Sequence, residues 1–189
     1  MTRFASSVAE GKSAEERFVA DYIITYGLPE TILKASQYQN IHEHWDIAIN
    51  GDCIDVKGRR RLSRGSGFNE AYAIFEMKNV SGRIGWGYGL ATFIVYEFED
   101  RWVTVDRDKI VSIVEPKLLE DKQVYYKFAG PYKNHSREGR SDLFTWIPVA
   151  DLEEIKTSSF IKKIKDAIYA AFWLCCSSIN NFIFQSNNF

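Results

Sequence analysis

Cysteine and histidine are scarce in this chain. Its three cysteines are Cys53 and the adjacent pair Cys175 and Cys176. Neighbouring cysteines rarely bridge, so no disulfide framework is expected and a reducing compartment fits. There is no Cys-x-x-Cys pair, and His42, His44 and His135 are too few and too scattered for a zinc centre. Excess charge of one sign is also lacking: the formal net charge is −1. That excludes a polycation that coats nucleic acid, and any attraction to phosphate must be local. The N-terminus carries no apolar run of the secretory kind, so the expected location is the cytoplasm.

What is present is apolar and aromatic. Hydrophobic residues make up 46% of the 189 positions, with 13 Phe, 10 Tyr and 5 Trp. That is enough apolar surface to offset the entropy of ordering the chain, and one soluble domain with a real core follows. We expect an α/β domain over residues 1–150 and a helical, apolar segment over 151–189. No charged residue follows Asp166, but Ser177, Ser178, Asn180 and Asn181 interrupt the apolar run. The expectation there is a docked or oligomerising helix, as in a homodimer, and no membrane span.

Apolar periodicity predicts a helix over residues 8–26, ended by Gly27 and Pro29. At about 100° per residue Glu15 falls in line with Phe18, Tyr22 and Tyr26. A carboxylate in an apolar stripe needs a partner or a cation; alternatively, Glu15 lies in a frayed first turn, in water. Residues 71–78 read as a third strand, 91–98 and 101–105 as a strand pair, and 106–119 as partly helical with a break at Pro116. The glycine-rich stretch 81–89 reads as tightly approached backbone. Asp151-Leu152-Glu153-Glu154 has the spacing of a helix start with Asp151 as the cap.

The most informative unit is Trp45-Asp46-Ile47-Ala48-Ile49-Asn50-Gly51-Asp52-Cys53-Ile54-Asp55-Val56-Lys57. Asn-Gly favours a two-residue hairpin turn, because both central positions require positive φ. The register then pairs Ile49 with Asp52, Ala48 with Cys53, Ile47 with Ile54 and Asp46 with Asp55. Opposed aspartates repel, and a bound divalent cation would turn that repulsion into a reason for the pair. Magnesium and manganese accept oxygen ligands and retain water, so Asp46, Asp55 and the Val56 carbonyl would suffice, with Glu15 as a direct or water-mediated ligand. Lys57, on the face of Asp55, would orient the attacking water or neutralise charge on a phosphoryl group. The cations that follow, Arg59, Arg60, Arg61 and Arg64, would hold phosphates of a bound strand.

This pattern resembles the PD-(D/E)XK nuclease superfamily, in particular its small phage-type and Holliday-junction-resolvase-like members. Gly11-Lys12-Ser13-Ala14-Glu15-Glu16-Arg17-Phe18 is similar to the family's helical motif, Asp46 to its first aspartate and Asp55-Val56-Lys57 to its (D/E)-x-K triplet. Two departures stand out: no proline precedes Asp46, and the triplet carries Asp where Glu is commoner. The resemblance covers residues 11–105. It implies a restriction-endonuclease-like core, a mixed sheet flanked by helices, that hydrolyses DNA, less often RNA, with Mg²⁺ or Mn²⁺.

A rival triplet, Glu76-Met77-Lys78, would take Asp55 as its upstream aspartate; Glu76 is otherwise an additional acidic group at the site or a salt-paired edge residue. His44 is expected on the face of Asp46 if that strand extends so far. Trp86 and Tyr88 would stack on bases or pack under a tight loop. The alternative to a nuclease is an inactive nucleic-acid-binding module of the same fold.

Overall fold

A computed structural model describes residues 3–61, 66–125 and 130–162, the side chains of 3–13 and 119–125 excepted. The elements run α1 (Arg3–Tyr26), β1 (Ile32–Lys34), a π-helical turn (Gln39–Glu43), β2 (Ile47–Ile49), β3 (Asp52–Lys57), β4 (Tyr72–Lys78) and a 3₁₀ turn (Trp86–Tyr88). There follow β5 (Phe93–Glu97), β6 (Arg101–Asp106), α2 (Arg107–Val114), a 3₁₀ turn (Glu115–Lys117), β7 (Leu119–Tyr125), β8 (Lys133–Ser136), β9 (Leu143–Pro148), α3 (Val149–Ile155) and β10 (Ser158–Ile161).

The strands form two sheets, in the order β1-β2-β3-β5-β6-β10 and β4-β9-β8-β7. The first is mixed: β3 and β5 are parallel, and its other neighbours are antiparallel. The fold is therefore mixed α/β, with helices against a mixed central sheet. Its far face differs from the expected helical cover, because the second sheet packs there beside α2 and α3. Strand alternation explains the layering. Ile47, Ile49, Ile54, Val56, Val95 and Trp102 turn toward Ala14 and Phe18 of α1, while Ile94, Tyr96, Val103 and Val105 meet Phe75, Met77, Ile147, Ile110 and Leu152.

The hairpin turn forms as the Asn-Gly pair dictates, with Asn50 at φ 51° and Gly51 at φ 93°. The register is Ile49 with Asp52, Ala48 with Cys53 and Ile47 with Ile54. The ladder ends there, so Asp46 lies one residue before β2 and, contrary to the pairing that the two-residue turn predicts, is not the ladder partner of Asp55. The Asp46 N–H instead donates to the Ile54 carbonyl at 2.9 Å.

Helix α1 ends at Gly27, whose N–H donates to the Ile23 carbonyl with φ 86°. Its Arg17 reaches Glu97 on β5 at 2.6 Å, and Trp102 Nε1 donates to its Asp21 at 2.9 Å. Asp151 does not cap α3; Pro148 precedes that helix, and the Asp151 carboxylate takes Lys117 and the Tyr132 hydroxyl. A boundary at residue 150 does not separate the layers: Leu152 of α3 is in the core, and β10 pairs with β6 in the central sheet. The apolar segment 167–189 lies outside the described residues. Among the described residues no helix is long and apolar enough to cross a membrane.

Candidate active site

Strand β3 turns Ile54 and Val56 toward α1, so Asp55 and Lys57 point into the gap between the sheets, beside Ile94 and Tyr96 of β5. Asp55 is 2% exposed. Its Oδ1 accepts from Lys57 Nζ at 2.6 Å, while Oδ2 is buried and meets no donor. Burial pushes the Asp55 carboxyl up to about 8; Lys57 works against that rise and Asp46 adds to it. A carboxylate with one shielded, unsatisfied oxygen is costly unless a proton or a cation joins it.

Asp46 supplies the second carboxylate. Its Oδ2 accepts from the Val56 N–H at 2.8 Å and its Oδ1 from Asn40 Nδ2 at 2.6 Å. The first contact pins Asp46 to the edge of β3 past the end of the ladder, and its charge acts on Asp55. The intended juxtaposition of the two aspartates is thus achieved through a side chain gripping a peptide rather than through ladder pairing. Since the peptide groups of Ile54 and Val56 face the β2 side, the Val56 carbonyl is on the side of Asp46 too.

Glu15 lies at the margin of the α1 interface and pairs with Lys34 at 3.3 Å. Burial raises its carboxyl and so does the nearby Asp46, while Lys34 opposes. The partner that its apolar surroundings require is therefore Lys34, with Asp46 in electrostatic reach. Glu76 stands on β4, in the second sheet, and burial raises its carboxyl against the pull first of Lys57 and then of Arg137. The register shifts between Glu76 and Lys78, and Lys78 is exposed where Glu76 is half-buried.

The basic segment makes contacts within the chain. Arg59 bonds Glu70 at 2.7 Å, and Arg61 donates to the Ser66 carbonyl while its guanidinium covers Phe68. Arg60 is exposed, and Arg64 lies outside the described residues.

Three neighbours of the site carried no motif. Asn40, on the π-helical turn, holds Asp46. Trp86 lies under Lys57, with Nζ 4.2 Å from its ring centroid. His44 is not in a strand; it closes the π-helical turn at φ 59°, and burial, then the charge of Lys57, lowers its pKa. The advance signals were the glycine spacing around Trp86 and the place of His44 two residues before Asp46. The buried carboxylate Glu97 was also unforeseen, but it faces α1, where it accepts from Arg17 and Lys162.

Among the described residues no three His, Cys, Asp or Glu side chains converge as a cation site. Asp46 and Asp55 with a peptide carbonyl still suit a hard cation that keeps several waters, and the unsatisfied Asp55 Oδ2 is the atom such an ion would satisfy. No protein-family model, curated protein or solved structure matches this chain.

Proposed function

We propose that the chain is a divalent-metal-dependent nuclease acting on DNA, with RNA as the less favoured substrate. The observation that carries this reading is the unsatisfied, buried oxygen of Asp55 beside a second carboxylate and a lysine. A stability-driven sequence avoids that combination, whereas phosphodiester hydrolysis uses all three groups.

Asp46, Asp55 and the Val56 carbonyl would hold Mg²⁺ or Mn²⁺, with Glu15 joining through water. When bound, the cation would supply Lewis acidity toward the scissile phosphate. Asn40 and the Val56 N–H hold the Asp46 carboxylate in place, so it has little reorganisation to undergo on binding. Lys57 would orient the attacking water or meet charge developing on phosphate oxygen. Glu76 is within the influence of the same ammonium and can receive it in part. The resemblance to the PD-(D/E)XK superfamily supports the same assignment of Glu15, Asp46, Asp55 and Lys57.

With Arg59 and Arg61 engaged by the protein's own groups, phosphate contact falls to Arg60, Arg64 and any exchange of those internal partners. The ion pair of Lys57 with Asp55 at 2.6 Å favours, as a second reading, an inactive nucleic-acid-binding module whose Lys57 stays locked to Asp55. Purified protein should cut single-stranded, duplex or branched DNA only when magnesium or manganese is present. Salt-sensitive binding without cleavage would select the second reading.

A further inference from the structure

Lys57 is 14% exposed at its side chain, and a lysine has a flexible four-carbon stem. Its ammonium pairs with Asp55 at 2.6 Å, and its charge also reaches Glu76, whose carboxyl it draws down against burial. The Trp86 ring, 4.2 Å from Nζ at its centroid, lies against that ammonium. The negative face of an indole attracts a desolvated cation. We infer that Trp86 is a positioning residue: its ring keeps the Lys57 ammonium out of water and aimed at Asp55.

The glycine-rich loop is the device that seats the ring. The Gly85 N–H donates to the Met77 carbonyl at 2.9 Å, and the Tyr88 and Gly89 N–H groups close the turn on Gly85 and Trp86. A Cβ on Gly85 would lie 2.5 Å from the Glu76 carbonyl oxygen, one on Gly87 2.5 Å from the Phe75 ring, and one on Gly89 2.5 Å from His44 Cβ. Only bare backbone can approach β4 and the His44 segment so closely. Behind the loop Phe75 meets Trp86 edge-on, with ring centroids 5.8 Å apart, which fixes the tilt of the indole. The spacing Gly-Trp-Gly-Tyr-Gly is thereby explained as a mount for one ring beside one lysine.

This inference rests on the hydrolytic reading for its consequence in catalysis, but not for its test. The full chain is compared with Trp86→Phe and Trp86→Leu after circular dichroism has established folding. The first readout needs no substrate: the rate at which an acylating reagent labels the Lys57 amine, followed by mass spectrometry. Loss of the π face should speed labelling about fivefold in Trp86→Leu and less than about twofold in Trp86→Phe. The second readout is magnesium-dependent cleavage, where Leu should lower kcat about tenfold with KM within about twofold, and Phe should restore most of the rate. If Trp86→Leu does not fold, site-specific fluorinated tryptophan keeps the shape while weakening the negative face, and labelling should again accelerate. Equal labelling in the aromatic and non-aromatic forms would overturn the inference. Faster labelling in a protein that cuts nothing would uphold it while overturning the nuclease reading.

Discussion

Asp55 and Lys57 are joined at 2.6 Å across the same face of one strand, two residues apart, and that pair is enclosed between two sheets. The second oxygen of Asp55 has no partner there. The pair is therefore satisfied on one side only, and a group of positive charge arriving at Asp46 and Asp55 would complete it.

Proton binding and the proposed cation binding would compete at this site. Burial raises the folded-state pKa of Asp55 to about 8 from an ordinary 3.8. A raised carboxyl contributes stability that is fully present below the unfolded value and is lost as pH rises toward the folded one. In chelator, wild type should lose stability between pH 4 and 8 relative to Asp55→Asn, by up to about 1.4 kcal/mol per pH unit for one group. Urea titrations across that range measure it, and parallel profiles for the two proteins would contradict it. Magnesium should raise the Tm of wild type more at pH 8 than at pH 5, since at low pH it has a proton to displace.

Asn40 is expected to act through Asp46. Removing its amide in Asn40→Ala frees one oxygen of a carboxylate that is otherwise held by the Val56 N–H. Calorimetric titration with Mn²⁺ should show affinity weakened about tenfold, against a loss of about 100-fold or more in Asp46→Ala. Unchanged affinity in Asp46→Ala would remove that residue from the site.

The face of the central sheet that meets α1 should matter for folding and not for metal. Glu97 is buried between Arg17 and Lys162; burial favours its neutral form, but those two cations hold its carboxyl below the ordinary value. Because the folded value is depressed, the stability it contributes is present above the unfolded pKa and is lost as pH falls. Glu97→Ala removes the carboxylate that Arg17 and Lys162 share and should cost about 3–5 kcal/mol in denaturant unfolding while leaving Mn²⁺ affinity unchanged in the folded fraction. A loss below about 1 kcal/mol would show that the two cations reach solvent without it.

The parts of the architecture legible in the sequence are those written locally. Asn50-Gly51 specifies a turn whose φ values few other pairs tolerate, and the three ladder pairs follow from it. Gly51→Ala should cost about 1 kcal/mol or more in thermal unfolding for the same reason, and no loss would mean that the turn is not held in that conformation. What was not legible depends on residues far apart in the chain. Strand β4 pairs with β9, about 70 residues onward, and β10 returns to β6, so although β4 itself reads as a strand, its place in a second sheet and the role of residues 158–161 leave no local periodic signature. The arginines at positions 59 and 61 read as free cations because Glu70 and Phe68, which occupy them, announce nothing in sequence. Asp46 and Asp55 come together as expected, but by way of a side-chain-to-peptide bond that no strand register predicts.

The central claim is that Asp46, Asp55 and Lys57 form a metal-dependent phosphodiesterase centre. Its most direct test is cleavage of single-stranded, duplex and branched DNA by purified wild type, Asp55→Ala and Lys57→Ala, with magnesium and with chelator. The account predicts cleavage by wild type that chelator abolishes, and a loss of at least about 100-fold in both variants at unchanged fold. Cleavage that persists undiminished in both variants would contradict it, as would a wild type that binds divalent ions at this site and cuts none of the substrates.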